Sequence, residues 1–178
     1  MRAALATASL DSFSGICFRA TDLEYIEDPL SGMGGLTSNG RYHQKDVCRA
    51  VYLSDSVMTM IAEKSIIEVD RHGRVHEHEF APAAILTVAI NLNNVLDLTR
   101  RTIRAQIGVT LKELNASWQA ANRRGHASPS QAIGTTAFLS GRIHALRVQS
   151  AKVRQRTNIV VFPDRLAGDE YLRIVTEA

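Results

Sequence analysis

Glu63 closes a short stretch, Asp55 to Lys64, in which Val57, Met58, Met60, Ile61 and Ala62 fall on one arc of a helical wheel. Thr59 and Glu63, four residues apart, share the opposite side. A carboxylate fixed on a packed helix can stabilise developing positive charge or hold hydroxyl groups. Most glutamates so placed are simply solvated, and spacing does not choose between the two. Upstream runs SGMGGLTSNGRYHQKD (31–46), where Gly32, Gly34, Gly35 and Gly40 free the backbone for positive φ. Such a segment suits wrapping around a ligand, with Arg41, His43 and Lys45 inside it; composition alone favours an ordinary surface loop. Ser150 ends an alternating segment, IHALRVQS (143–150), on the parity of Leu146 and Val148, so its hydroxyl should point to their side. Arg147, Lys152, Arg154 and Arg156 surround that serine and could meet an anion.

Other chemistries find less support. Gly32, Gly34 and Gly35 glance at a dinucleotide fingerprint, but Thr37 stands where the third glycine belongs. His72, His76 and His78 lie close together without a cysteine nearby, and the stretch HGRVHEHEF reads as an exposed charged hairpin, so no metal is expected. No histidine is placed to turn Ser150 into a nucleophile. Neither that basic cluster nor Arg100, Arg101 and Arg104, which read as a solvated helix face, is interleaved with aromatic rings that could stack bases.

These side chains need a frame. GICFRA (15–20) reads as a strand that places Arg19, and AVYLS (50–54) as another, with Ser54 set to cap the helix that carries Glu63. Ile85 to Leu98 alternates but exceeds ordinary strand length, which predicts a bend or break near Asn91 to Asn94. Thr110 with Glu113, and Ser128 with Gln131 behind Pro129, mark two helix starts; Gly125 and Gly141 mark the ends. NIVVF (158–162) is strand-like, and EYLRIVTEA reads as a last strand or a short helix. Strands at both ends with helices between predict one α+β domain, residues 1–178, with a mixed sheet.

The chain of 178 residues is 45% hydrophobic and 22% charged, the balance of a single soluble globular domain. Two cysteines, Cys17 and Cys48, make no disulfide framework. The opening MRAALATASLDSFSG is too polar for a secretory signal and no stretch suits a membrane span, so the cytoplasm is the expected compartment. A net charge of +3 suits an anionic ligand but is too small to imply nucleic-acid binding.

Taken in order, several stretches resemble the RES domain, a toxin family named for an Arg, a Glu and a Ser. They are FRA (18–20), Gly40-Arg41-Tyr42, VYLS (51–54), Ala62-Glu63, VLDLTR (95–100), IGVTLKELNASW (107–118), Pro129-Ser130-Gln131 and Gln149-Ser150-Ala151 before NIVVF. The resemblance spans about residues 16 to 166, with Arg41, Glu63 and Ser150 at the naming positions. Tyr42-His43 replaces the family's usual aromatic-Asn pair, and Gln149 stands where the family has proline.

The resemblance implies an ADP-ribosyltransferase-like fold and an NAD+-consuming toxin. Catalytic roles fall on Glu63, Arg41, Ser150 and Tyr52, and substrate contacts on Arg41, Tyr52, Arg19, His43 and Lys45. No cofactor is implied, because NAD+ is itself the substrate. Its nicotinamide leaves as a neutral amine, so one carboxylate suffices where an ordinary glycoside needs a pair. Glycohydrolase or phosphorylase action is the first expectation, and transfer of ADP-ribose to a protein is the alternative. A binding module without catalysis, using residues 147–156, is the reading from a different class. The expected partner is an Xre-like helix-turn-helix antitoxin, through which alone nucleic acid would be contacted.

Overall fold

The computed structural model describes residues 1–65, 67–69, 72, 74–77 and 82–176. Among the described residues there are eight strands: β1 (Asp11–Asp22), β2 (Val51–Ser54), β3 (Ile67–Val69), β4 (Val75–Glu77), β5 (Ala83–Asp97), β6 (Ala145–Gln149), β7 (Thr157–Val161) and β8 (Tyr171–Ile174). The main sheet runs β1-β2-β7-β6-β5-β8, and β1 also pairs with β5, so five strands close on themselves. Only β5 and β6 run parallel, which makes the sheet mixed as expected. β3 and β4 form a separate hairpin.

The period of two sorts the strand residues into two cores. Val51, Leu53, Val88, Ile90, Ala145, Ile159 and Val161 face inward and fill the closed sheet. Their neighbours Leu146, Val148 and Val160 face outward, where helices cover them. Those helices are α1 (Arg2–Thr7), α4 (Arg101–Ile107), α5 (Leu111–Asn115) and α7 (Pro129–Leu139). Two more among the described residues lie outside this layer, α2 (Gly34–Thr37) and α6 (Trp118–Arg123). The helix of Glu63 is α3 (Val57–Glu63). None of the described helices is long and apolar enough to cross a membrane.

Several local expectations are met. Both capping boxes form, at Thr110–Glu113 and at Ser128–Gln131. Gly125 and Gly141 follow α6 and α7 with φ of 80° and 73°, the left-handed turn that glycine permits. The C-terminal segment is a strand on the edge of β5.

Others are corrected. β5 runs unbroken, and the irregularity instead appears in its pairing, where the register with β1 slips between Asp11 and Phe13. The expected single helix from Thr110 divides at Ala116 into α5 and α6, for a reason that lies in the site below. Ser54 does not cap α3: it is buried and bonded to Asn158, while Ser56 accepts the Thr59 N–H. Thr59 is fully buried and Met58 is 54% exposed, so α3 turns the Thr59, Met60 and Ala62 face inward. Thr59 can be buried because its hydroxyl is bonded to Asp55 and Ser56. Among the expected cations, Arg104 is not simply solvated; it donates to the carbonyls of Leu98 and Thr99.

Candidate active site

Both ends of α3 are anchored, and this fixes Glu63. At its start Asp55 accepts from the Thr59 hydroxyl and from the Thr157 N–H and hydroxyl, tying the helix to β7. At its end Lys64 Nζ pairs with the Asp22 carboxylate of β1 at 2.6 Å. Between these anchors the Glu63 carboxylate is held through one oxygen. Ser150 Oγ donates to Oε1 at 2.6 Å, and Asn158 Nδ2 donates to the same atom at 2.8 Å. The Asn158 amide has a defined orientation because its Oδ1 accepts from the Ser54 hydroxyl at 2.8 Å. Among the described residues Oε2 has no partner, and Glu63 lines two adjoining cavities of about 300 and 530 Å³.

Ser150 is 6% exposed and sits on the parity its sequence predicts, beside Leu146 and Val148. Its hydroxyl also accepts the N–H groups of Lys152 and Val153. With its proton spent on Glu63, Ser150 orients the carboxylate and turns the basic loop; it is not set up as a nucleophile.

Arg41 shares the smaller cavity with Glu63. Its Nη1 donates to the carbonyls of Leu114 and Ala116 at 3.0 and 2.9 Å, rather than pairing with the glutamate. Those carbonyls lie at the end of α5, where helical carbonyls lack intrahelical partners. Capturing them stops the helix, and Ser117 caps a new one. The rest of the guanidinium fork remains available to an anion.

Tyr52, on β2, lines this cavity as well, but its hydroxyl is already engaged. It accepts from the Tyr42 N–H at 2.9 Å and bonds His43 Nδ1 at 2.9 Å. His43 Nε2 faces only the Ser38 carbonyl, at 3.1 Å, so that nitrogen carries the proton and Nδ1 accepts from Tyr52. Burial raises the Tyr52 and Tyr42 phenols well above their ordinary values, which keeps the Tyr52 O–H a donor. Tyr52 therefore offers a ligand its ring, while its hydroxyl holds the loop that carries Arg41. Its backbone carbonyl accepts from Arg19 Nη1 at 3.1 Å, and Arg19 Nε is buried without a partner.

His43 is nearly buried with both ring nitrogens bonded, so it supports Tyr52 instead of offering a ring nitrogen to substrate. Lys45 is exposed and lines none of the cavities around Glu63, so the structure does not bring it into the cleft. A third cavity, about 720 Å³, adjoins through Arg19, Tyr52 and Lys64 and is walled by the 31–38 segment. Of the four glycines in the 31–46 segment, only Gly32 uses positive φ, at 70°. Gly40 is needed for a different reason: a Cβ would meet His43 Nδ1 at 2.6 Å and the Tyr52 hydroxyl at 2.9 Å. Among the described residues no group of His, Cys, Asp and Glu could hold a metal ion; His78 lies outside them.

Burial pushes the His43 imidazole below the ordinary histidine value, with its bond to Ser38 opposing. The unfolded chain then takes up a proton at a higher pH than the folded one does. Stability conferred by the neutral ring is present above roughly pH 6.5 and is lost as pH falls through the lower folded value. We expect the unfolding temperature to drop on acidification below that point, and His43→Gln to flatten the drop. An equal acid slope in the variant would remove His43 as the cause.

Asn158 is the residue that sequence reasoning missed. Its signal was weak: a polar side chain on the outward parity of an otherwise apolar strand, NIVVF.

The chain belongs to the RES-domain family, whose model matches residues 16–176. No curated protein matches it. Among solved structures, a chain of the M. tuberculosis MbcT-MbcA toxin-antitoxin complex has the same fold, with a TM-score of 0.69 and 20% identity. The alignment covers 98% of this chain and 88% of that one.

Proposed function

We propose that this protein is the toxin of a toxin–antitoxin pair and cleaves the nicotinamide–ribose bond of NAD+ in the cytoplasm. One observation carries the reading. Glu63 is clamped through Oε1 by two donors while Oε2 is left to a cleft that Arg41 and Tyr52 also line. Membership of the RES family and a fold shared with a toxin–antitoxin complex support the choice of substrate and partner.

The chemistry asks little of acid catalysis. As the C–N bond breaks, its electron pair goes to the pyridinium nitrogen and nicotinamide departs neutral. Positive charge grows on the ribose, and a fixed carboxylate beside it stabilises that charge without reorganising. Arg41 suits a phosphate or ribose oxygen, being planar and permanently charged. Tyr52 supplies a flat wall for the nicotinamide. Water, phosphate or a protein side chain then takes the ribose carbon, and an antitoxin that covers the cleft would restrain the reaction in the producing cell.

The test is product analysis with NAD+ labelled in its adenosine half. Nicotinamide should appear in step with free ADP-ribose or its 1″-phosphate. Label on a macromolecule would instead make the protein a transferase, and intact NAD+ would overturn the enzyme reading.

A further inference from the structure

A further cavity, behind Ser150, has no role in the reading above. It is an open cleft of about 930 Å³ between α5 and the 150–156 loop, and it is lined by Asn115, Gln149, Lys152, Arg154 and Gln155 among others. Gln149 and Ala151 also line the Arg41–Glu63 cavity, so the two are neighbours. We propose that this cavity is a binding subsite for a phosphate group, held by Lys152 and Arg154; the inference rests on the NAD+ reading for its place in the reaction.

Charge is the first argument. The 150–156 segment carries Lys152, Arg154 and Arg156 and no acidic residue. Among the described residues none of the three has a carboxylate partner. The other end of the cleft is different: Lys64 is neutralised by Asp22, and Asp28 lines the same cavity as Arg19. An anion in the cleft is therefore drawn toward Arg41 and, beyond it, toward Lys152 and Arg154.

Placement is the second argument. Ser150 Oγ accepts the Lys152 and Val153 N–H groups, and Ser150 N–H donates to the Arg156 carbonyl. Gln155, at φ of 61°, completes the turn. The same hydroxyl donates to Glu63, so one side chain sets both the catalytic carboxylate and the start of the basic loop. On the facing wall Asn115 Oδ1 is buried and has no hydrogen-bond partner among the described residues, so it can accept from a bound water or a protonated phosphate, while the amide NH2 is the donor for an anion. A polar amide without a partner at a cavity wall is a group to which a ligand or its water can bond.

Two sources could supply the phosphate group: the diphosphate of the dinucleotide itself, or free phosphate that attacks the ribose carbon. In the second case phosphate oxygen bonds to that carbon as nicotinamide leaves with the C–N electron pair, giving ADP-ribose 1″-phosphate. The double variant Lys152→Met/Arg154→Met changes exposed side chains only, and both sources respond to it. If the diphosphate binds here, inorganic phosphate inhibits the parent protein competitively. The variant then shows a KM for NAD+ raised about 10-fold or more, the worth of one or two charge-assisted hydrogen bonds. If free phosphate binds here, phosphate accelerates nicotinamide release, and the variant needs about 10-fold more of it for half the effect.

An unchanged KM together with an unchanged phosphate response overturns the subsite. So does salt-sensitive nucleic-acid binding that the double variant loses while its response to phosphate stays that of the parent. If the parent releases no nicotinamide, the NAD+ reading fails, and the subsite is then judged by 31P line broadening of inorganic phosphate. Broadening by the parent that the double variant lacks upholds it, and broadening by neither overturns it.

Discussion

Glu63→Gln is expected to lower NAD+ cleavage by about 10²–10³-fold while the protein unfolds at the temperature of the parent. The variant suits the question because it changes charge and little else. A glutamine carbonyl can accept from Ser150 and Asn158 as Oε1 does, so both clamping hydrogen bonds survive. What disappears is the negative charge beside a ribose carbon that becomes cationic as nicotinamide departs. Glu63→Asp asks the complementary question. It keeps the charge but withdraws it by one methylene from the two donors, and a misplacement of about 1 Å can cost on the order of 10²-fold. If Glu63 served only to pack α3 against β7, the glutamine variant would turn over NAD+ at the parental rate. That result, measured as nicotinamide released per minute with thermal unfolding as control, would remove Glu63 from the chemistry.

Much of the frame around Glu63 was legible because its causes are local. Ser150 points where the alternation of Leu146 and Val148 predicts, since strand parity needs no knowledge of partners. The capping boxes at Thr110 and Ser128 are four-residue signals, and both form. What escaped was set across long separations. Asn158 reaches Glu63 over 95 positions, and Arg41 reaches Ala116 over 75, where it breaks a helix whose own pattern continues to Ala121. Ser54 looked like a cap until its hydroxyl found Asn158, a partner 104 positions away. Tyr52 shows the same limit in the site itself. The resemblance implied that Tyr52 meets the substrate by its ring or its hydroxyl, and only the fold brings Tyr42 and His43 to claim the hydroxyl.

The loop that carries Arg41 depends on one more residue, in the middle of α7. Gly134→Ala should destabilise the protein and depress NAD+ turnover together, although helix propensity alone forecasts the reverse. Replacing glycine by alanine inside a helix gains about 1 kcal/mol. Against this, a Cβ on Gly134 would press into the Tyr42 backbone, within 2.6 Å of its carbonyl carbon and closer still to its oxygen. Backbone gives way less readily than a flexible side chain, and Tyr42 is buried with its own N–H bonded to Tyr52. Overpacking of this kind costs about 1–3 kcal/mol and occasionally more, so the steric term outweighs the propensity gain. The segment has little freedom to retreat, because Gln131 Nε2 donates to the Gly40 carbonyl from the same helix at 3.0 Å. Displacing Tyr42 moves Arg41, its neighbour in sequence, and strains the Tyr52–His43 pair, so activity should fall even where the variant stays folded. Gly34→Ala, at the start of α2, provides the contrast, since a Cβ there meets nothing within 4 Å and should leave the denaturation midpoint unchanged or slightly raised. A Gly134→Ala protein with parental stability and turnover would mean that α7 and the arginine loop separate at little cost. Arg41 would then have to be held by its bonds to Leu114 and Ala116 alone.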